Sequence, residues 1–138
     1  MGTKWMSSMI AIVSQIESCE TLHIVKFECG EDELSMMSLE LDERVRVGTK
    51  VKLVTKPTHI AIAKNFQGEL SYSNKIPVVI DSINNGELLT SIKLKSKQSS
   101  FESIITCSSS KRMSLQVGDN VLALIKASEL SIGEILDD

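Results

Sequence analysis

Aromatic side chains are scarce in this chain of 138 residues, which has one Trp, one Tyr and three Phe, and its net charge is −3. A nucleic-acid surface is therefore not expected, since phosphate contacts need clustered Lys and Arg and single strands need stacking faces. The three cysteines, Cys19, Cys29 and Cys107, are odd in number and far apart and form no CxxC pair. Neither a disulfide framework nor a zinc site fits that spacing. No apolar run approaches the roughly 20 residues of a membrane span. The first residues, Met1-Gly2-Thr3-Lys4-Trp5-Met6, lack the basic, apolar and small-residue succession of a secretory leader. A soluble, cytoplasmic protein with no membrane partner is expected. Catalytic motifs are missing too: there is no GxxxxGK phosphate loop, no HExxH and no GxSxG, and His23 and His59 have no obvious acidic partner. The chain is expected to bind a ligand and not to be an enzyme.

What the sequence does contain is a succession of short β-branched runs separated by turn residues, the pattern of many small strands. Strands are expected at Met9 to Ile16, Thr21 to Phe27, Glu33 to Ser38, Val51 to Thr55 and His59 to Ala63. A second series follows at Ile76 to Ile83, Leu88 to Leu94, Phe101 to Thr106, Asn120 to Ile125 and Leu130 to Ile132. Turns are expected at Glu17-Ser18-Cys19-Glu20, at Cys29-Gly30-Glu31-Asp32 and at Asn84-Asn85-Gly86. Leu39 to Val45 has the composition of a helical turn, and Ser108 to Met113 could start a short helix capped by a hydroxyl residue. Lys93, Lys95 and Lys97 alternate as on a solvated strand face that blunts a sheet edge.

The two series superimpose. Gly48-Thr49-Lys50-Val51-Lys52-Leu53-Val54-Thr55-Lys56-Pro57-Thr58-His59-Ile60-Ala61-Ile62 aligns without a gap on Gly118-Asp119-Asn120-Val121-Leu122-Ala123-Leu124-Ile125-Lys126-Ala127-Ser128-Glu129-Leu130-Ser131-Ile132. Ser35-Met36-Met37-Ser38 echoes Ser103-Ile104-Ile105-Thr106, and Ile12 to Ile16 echoes Val79 to Ile83. A long period repeated only twice does not make a solenoid. The expected fold is all-β: two tandem small Greek-key barrels of the oligonucleotide-fold type with short helical turns, residues 1–67 and 68–138. The join falls near Asn65-Phe66-Gln67-Gly68. Modules of about 65 residues are marginal alone, so the two are expected to pack together and the chain to oligomerise.

Hydroxyls and amides gather near lysine in Ser71-Tyr72-Ser73-Asn74, in Thr106-Cys107-Ser108-Ser109-Ser110-Lys111 and in Lys126-Ala127-Ser128. Such groups suit a tetrahedral oxyanion, whose oxygens need several short hydrogen bonds and an offsetting positive charge. Serine and threonine also populate turns and helix caps, and a lysine can simply end a strand, so both readings stay open at this level. The lysine followed by Pro-Thr or Ala-Ser recurs at the same place in both modules, as Lys56-Pro57-Thr58 and Lys126-Ala127-Ser128.

Val121 to Ile132 resembles the ending of the Mop, or TOBE, molybdate-binding module, and the likeness spans nearly the whole chain. It implies molybdate or tungstate as the ligand, no organic cofactor, and a homo-oligomer, dimer or trimer, with sites at module interfaces and the lysine supplied across them. Tandem copies occur in stand-alone molybdate-storage proteins and in the sensor half of ModE-type transcription regulators. A regulator reading would require DNA contact through a separate helix-turn-helix region, which this sequence does not contain. The accessory region of a molybdate ABC transporter ATPase and an oligonucleotide-binding barrel are the alternatives. The family stretch Ser-Ala-Arg-Asn corresponds here to Ser71-Tyr72-Ser73-Asn74, with Ser73 in place of the arginine. The other implied oxyanion contacts are Thr106, Ser109, Lys126 and Ser128 in the second module and Lys56 and Thr58 in the first, where Ser38 stands in for Thr106. Lys4-Trp5-Met6-Ser7 lacks the opening serine, so the better site is expected around the second module.

Overall fold

The structure is a computed structural model and describes residues 6–136, so Lys4 and Trp5 lie outside the described residues. Its strands are β1 (Ser7–Cys19), β2 (Leu22–Cys29), β3 (Asp32–Ser38), β4 (Lys50–Thr55), β5 (Ala61–Ala63), β6 (Asn74–Asn85), β7 (Leu89–Lys95), β8 (Ser100–Thr106), β9 (Asn120–Ile125) and β10 (Ser131–Ile135). One short helix, α1 (Cys107–Arg112), follows β8, and 3-10 turns occupy Pro57–His59 and Ala127–Glu129. The all-β expectation holds. Along β6, Asn74, Ile76, Val78 and Ile80 are buried while Lys75, Pro77, Val79 and Asp81 are exposed, the two-residue period that turns one sheet face inward.

The strands form two antiparallel sheets of five, ordered β10-β4-β1-β2-β3 and β5-β9-β6-β7-β8. Each sheet thus takes four strands from one half of the chain and its fifth from the other. The sequence suggested five strands within each module; instead β5 crosses to pair with β9, and β10 crosses back to pair with β4. The crossing is made by the 3-10 turns. Ile60 and Leu130, which end them, are each 1% exposed in the shared core. The buried Ser103 hydroxyl of β8 donates to the Ile60 carbonyl at 2.6 Å. On the other side, β10 approaches β4 so closely that a Cβ on Gly133 would lie 2.7 Å from Val54 Cγ1.

A single apolar cluster runs through both halves, with Val13, Phe27, Leu34 and Leu53 from the first and Ile80, Ile92, Leu94 and Ile125 from the second, all fully buried. Each such side chain contributes about 1.5–3 kcal/mol on burial, and the cluster they form is shared by the two halves. The glycine that precedes the fourth strand of each half adopts a positive φ, 97° at Gly48 and 94° at Gly118. In that conformation Gly48 N–H bonds the Val13 carbonyl and Gly118 N–H the Ile80 carbonyl, both at 2.8 Å, beside matching register shifts in β1 and β6.

Two side chains clasp the halves together. Asn74, fully buried at the start of β6, accepts from Ser35 N–H at 2.7 Å and donates to the Ser35 carbonyl at 3.0 Å. At the equivalent start of β1, the Ser7 hydroxyl donates to the Glu102 carbonyl at 2.6 Å and accepts from Glu102 N–H at 3.0 Å. In this way the outer edges of β3 and β8 each have a peptide group satisfied by a side chain of the opposite half. A third link joins loop tips: Gln98 Nε2 donates to the Cys29 carbonyl at 2.9 Å, against Gly30. The Lys64 ammonium, in the connection between the halves, donates to the Ser114 carbonyl at 2.9 Å beyond α1 and pairs with Asp119 at 3.1 Å. Hydrogen bonding from Gln116 N–H, then from Lys64, holds the Asp119 carboxyl below its usual range.

Several local expectations are corrected. Strand β1 runs through Cys19 and turns at Glu20 and Thr21, and Asn84 and Asn85 belong to β6, so both hairpins are longer than the turn residues implied. Lys93 and Lys95 do lie exposed on β7, but that strand sits between β6 and β8 and blunts no edge. Leu39 to Val45 is not helical. There the Asp42 carboxylate accepts from Arg44 N–H at 2.8 Å and from its guanidinium, while Val45 N–H bonds the Asp42 carbonyl at 3.0 Å, a single local turn.

Candidate anion-binding site

The exchange of fifth strands sets the geometry of the candidate residues. It carries the 3-10 turn of each half onto the third strand of the other, Pro57–His59 beside β8 and Ala127–Glu129 beside β3. Two cavities result, related by the repeat. One, of about 370 Å³, is lined by Thr58 of the first turn, Thr106 at the end of β8, Tyr72, His59 and Glu129, over an apolar floor that includes Ile104 and Leu89. The other, also about 370 Å³, is lined by Ser128 of the second turn and Ser38 at the end of β3, with Glu40, Asp42, Arg44 and Glu134. In both, the lining combines a hydroxyl residue of one half with a hydroxyl residue of the other.

The charges around them differ. In the Ser38–Ser128 cavity the Arg44 guanidinium is already paired with Asp42 at 2.8 Å. Hydrogen bonds from the Arg44 side chain and backbone lower the Asp42 carboxyl to about 2, so it is ionised at neutral pH, and Glu40 and Glu134 add further carboxylates. That lining opposes a dianion. The Thr58–Thr106 cavity carries one carboxylate, Glu129, which meets His59 with 3.5 Å between Oε2 and Nδ1. Just outside, the Lys126 ammonium stands 6.0 Å from the centroid of the Tyr72 ring, at the outer limit of a cation–π contact.

Each sequence-derived candidate can now be placed. Thr106 caps α1: its hydroxyl oxygen accepts from Ser109 N–H at 3.1 Å and its hydroxyl donates to Ser109 Oγ at 3.0 Å. Arg112 Nη2 donates to the same Ser109 oxygen at 3.2 Å. Thr106 and Ser109 are thus adjacent, with Thr106 in the cavity lining and Ser109 behind it. Ser71 and Ser73 are exposed, and the register that sets Asn74 opposite Ile125 carries Ser73 out alongside Lys126. Asn74 itself points inward: its carbonyl oxygen and one amide hydrogen are engaged by the Ser35 backbone, so in the free chain it is a clasp. Lys56 does not reach the Ser38–Ser128 cavity; with Thr58 it lines a third, larger and mainly apolar hollow of about 710 Å³ beside Ser7, Ser91 and Glu102. Ser128 is separated from the Thr106 group and belongs to the Ser38 cavity.

Three participants escaped the sequence reading. His59 does have an acidic partner, but Glu129 comes from the other half and no local spacing announces it. Arg112 stands three residues after Ser109, a helical spacing that could have been noticed once α1 was expected. Tyr72 occupies the position between two flagged serines and contributes a ring, not a polar contact, to the cavity wall.

No family model and no curated protein matches the sequence. Among solved structures the fold is similar to that of the cytoplasmic molybdate-binding protein ModG in a molybdate-bound crystal form, with a TM-score of 0.86 and 21% sequence identity. The match covers 92% of this chain and 94% of that one, so the two share a tandem oligonucleotide-type β fold from near one end to near the other.

Proposed function

We propose that this protein binds molybdate or tungstate inside the cell, without catalysing a reaction, as a storage or homeostasis protein. The observation that carries the reading is the near end-to-end likeness to ModG, a molybdate-binding protein, combined with a hydroxyl-lined cavity where the halves of this chain exchange strands. Burying a dianion requires donors to replace its water shell and positive charge to offset its own. Thr58, Thr106 and the Ser109 pair behind Thr106 supply hydroxyls, and Lys126 with Ser73 supplies an ammonium and a further hydroxyl at the rim. The Thr58–Thr106 cavity is the principal site, because the Ser38–Ser128 cavity is ringed by carboxylates. Homo-oligomerisation, as a dimer or trimer that completes the sites at module interfaces, belongs to the same reading.

Calorimetric titration of the full chain with molybdate, tungstate, sulfate and phosphate, with mass followed in parallel, tests it. Tight binding of molybdate and tungstate is expected, and Lys126→Ala should weaken it by about 10- to 100-fold, the loss of one charge-assisted hydrogen bond. Absence of binding would refute the function, and an unchanged affinity in the variant would remove Lys126 from the site.

A further inference from the structure

At the centre of the repeat, equivalent residues meet. His59 is the last residue of the first 3-10 turn and Glu129 the last of the second, and the strand exchange brings them together, 3.5 Å apart, on the lining of the Thr58–Thr106 cavity. Both turns are anchored: His59 N–H bonds the Lys56 carbonyl at 2.8 Å, Glu129 N–H bonds the Lys126 carbonyl at 2.9 Å, and Thr55 Oγ1 donates to the Glu129 carbonyl at 2.7 Å. The pair is therefore held in place from the backbone. Its side chains are 37% and 32% exposed, so protons exchange freely with solvent.

We propose that His59 is the second cationic group of the anion site: a dianion entering the cavity draws a proton onto the imidazole, and Glu129 holds the imidazolium there. The inference rests on the oxyanion reading above. With a neutral imidazole, the cavity lining carries only the Glu129 carboxylate, which repels the ligand, and Lys126 stands beyond Tyr72 at the rim. A single ammonium facing a dianion and a carboxylate leaves the site short of positive charge, all the more because Ser73 stands where the resembled family has an arginine. A proton on His59 halves that deficit. It neutralises Glu129 and adds an N–H donor among the hydroxyls.

The tautomer makes room for that proton. Nδ1 lies 3.5 Å from a carboxylate oxygen, which accepts, so we place the ring hydrogen of the neutral form on Nδ1 and the incoming proton on Nε2. Charged groups also lie on the neighbouring elements. β8, packed on this turn, carries Glu102, whose carboxylate accepts from Ser91; Lys56 precedes the same turn; Lys126 stands beside the Tyr72 ring. Histidine is the side chain whose ordinary titration lies close enough to neutrality for a ligand to tip it.

Proton uptake is measured by titrating molybdate into the full chain at about pH 7.5 in buffers of different ionisation heat, where the free anion carries no proton of its own. About half to one proton should be taken up per anion, and affinity should rise by up to about tenfold per unit as pH falls from about 8.5 to 6.5. His59→Gln should abolish the uptake and flatten the pH dependence, while Glu129→Gln should bind more tightly than the native chain near pH 8. Native chain that binds molybdate with no proton uptake, or a His59→Gln variant that keeps it, overturns the inference and leaves the oxyanion reading standing. Failure of the native chain to bind molybdate or tungstate overturns both. The proton count on native protein needs no variant to fold.

Discussion

Replacing Asn74 with alanine separates two roles that the sequence could not tell apart. If the side chain is a clasp, the variant loses stability; if it is an anion ligand, a folded variant loses affinity. The structure assigns it two hydrogen bonds, 2.7 Å from Ser35 N–H and 3.0 Å to the Ser35 carbonyl, at a position with no solvent exposure. Losing two such bonds costs about 1 kcal/mol each, and leaving the Ser35 peptide groups unpaired at the joint between the halves adds about 1 kcal/mol more. A loss of about 3 kcal/mol follows, which for a chain of this size lowers the melting temperature by on the order of 10 °C. Urea unfolding followed by circular dichroism gives the free energy, and molybdate titration of the folded fraction gives the affinity. Ser7→Ala, at the equivalent clasp, should cost less, because a hydroxyl that bonds Glu102 N–H and C=O leaves a smaller void. An Asn74→Ala protein within about 0.5 kcal/mol of native stability would refute the clasp.

Gly133→Ala should destabilise the chain by about 1–3 kcal/mol through overpacking, since the new methyl would fall 2.7 Å from Val54 Cγ1. A second change, Val54→Ala, should recover part of that loss in a double-mutant cycle. Carboxyl NMR should find Asp42 titrating at about 2, rising toward the ordinary carboxylate range in Arg44→Gln. Because its folded value lies below the unfolded one, whatever stability the Asp42–Arg44 turn contributes is present above about pH 4 and lost as pH falls through about 2. Thiol labelling of native protein should modify Cys19 rapidly, as it is exposed, whereas Cys29 and Cys107 are buried and burial raises the Cys29 pKa. All three should react once the chain is unfolded.

The duplication was legible because strands of two-residue period, with Gly48 and Gly118 ahead of matching runs, leave a trace that survives at low identity. The cap was legible too, since a threonine before a run of serines is the local chemistry of a helix start, and Thr106 does cap α1. What escaped is the pairing of one half with the other. Ala61–Ala63 and Ser131–Ile135 carry no residue that names a partner strand, and either sheet would satisfy their backbone groups. Helical propensity failed over Leu39 to Val45 for a related reason. There the Asp42 carboxylate draws Arg44 N–H into a local turn that the chain does not continue as helix. Asn74 was grouped with its exposed neighbours Ser71 and Ser73, yet the strand period that begins at residue 74 turns it inward.

Because the fifth strands are exchanged, neither cavity belongs to one module: Thr106 shares one with Thr58 and Ser38 shares the other with Ser128, always across the halves. Two separate copies of a single module could build the same geometry, but symmetry would then force the two cavities to be identical. It would also force like to face like where the 3-10 turns meet, two histidines or two glutamates. An imidazole facing a carboxylate at equivalent positions is open only to a chain in which the copies are fused and their sequences free to diverge. Fusion likewise permits Asp42, Glu40 and Glu134 to gather at one cavity while Tyr72 and Lys126 stand beside the other. The asymmetry in charge, laid over a symmetric backbone, is what the duplicated chain adds to the fold.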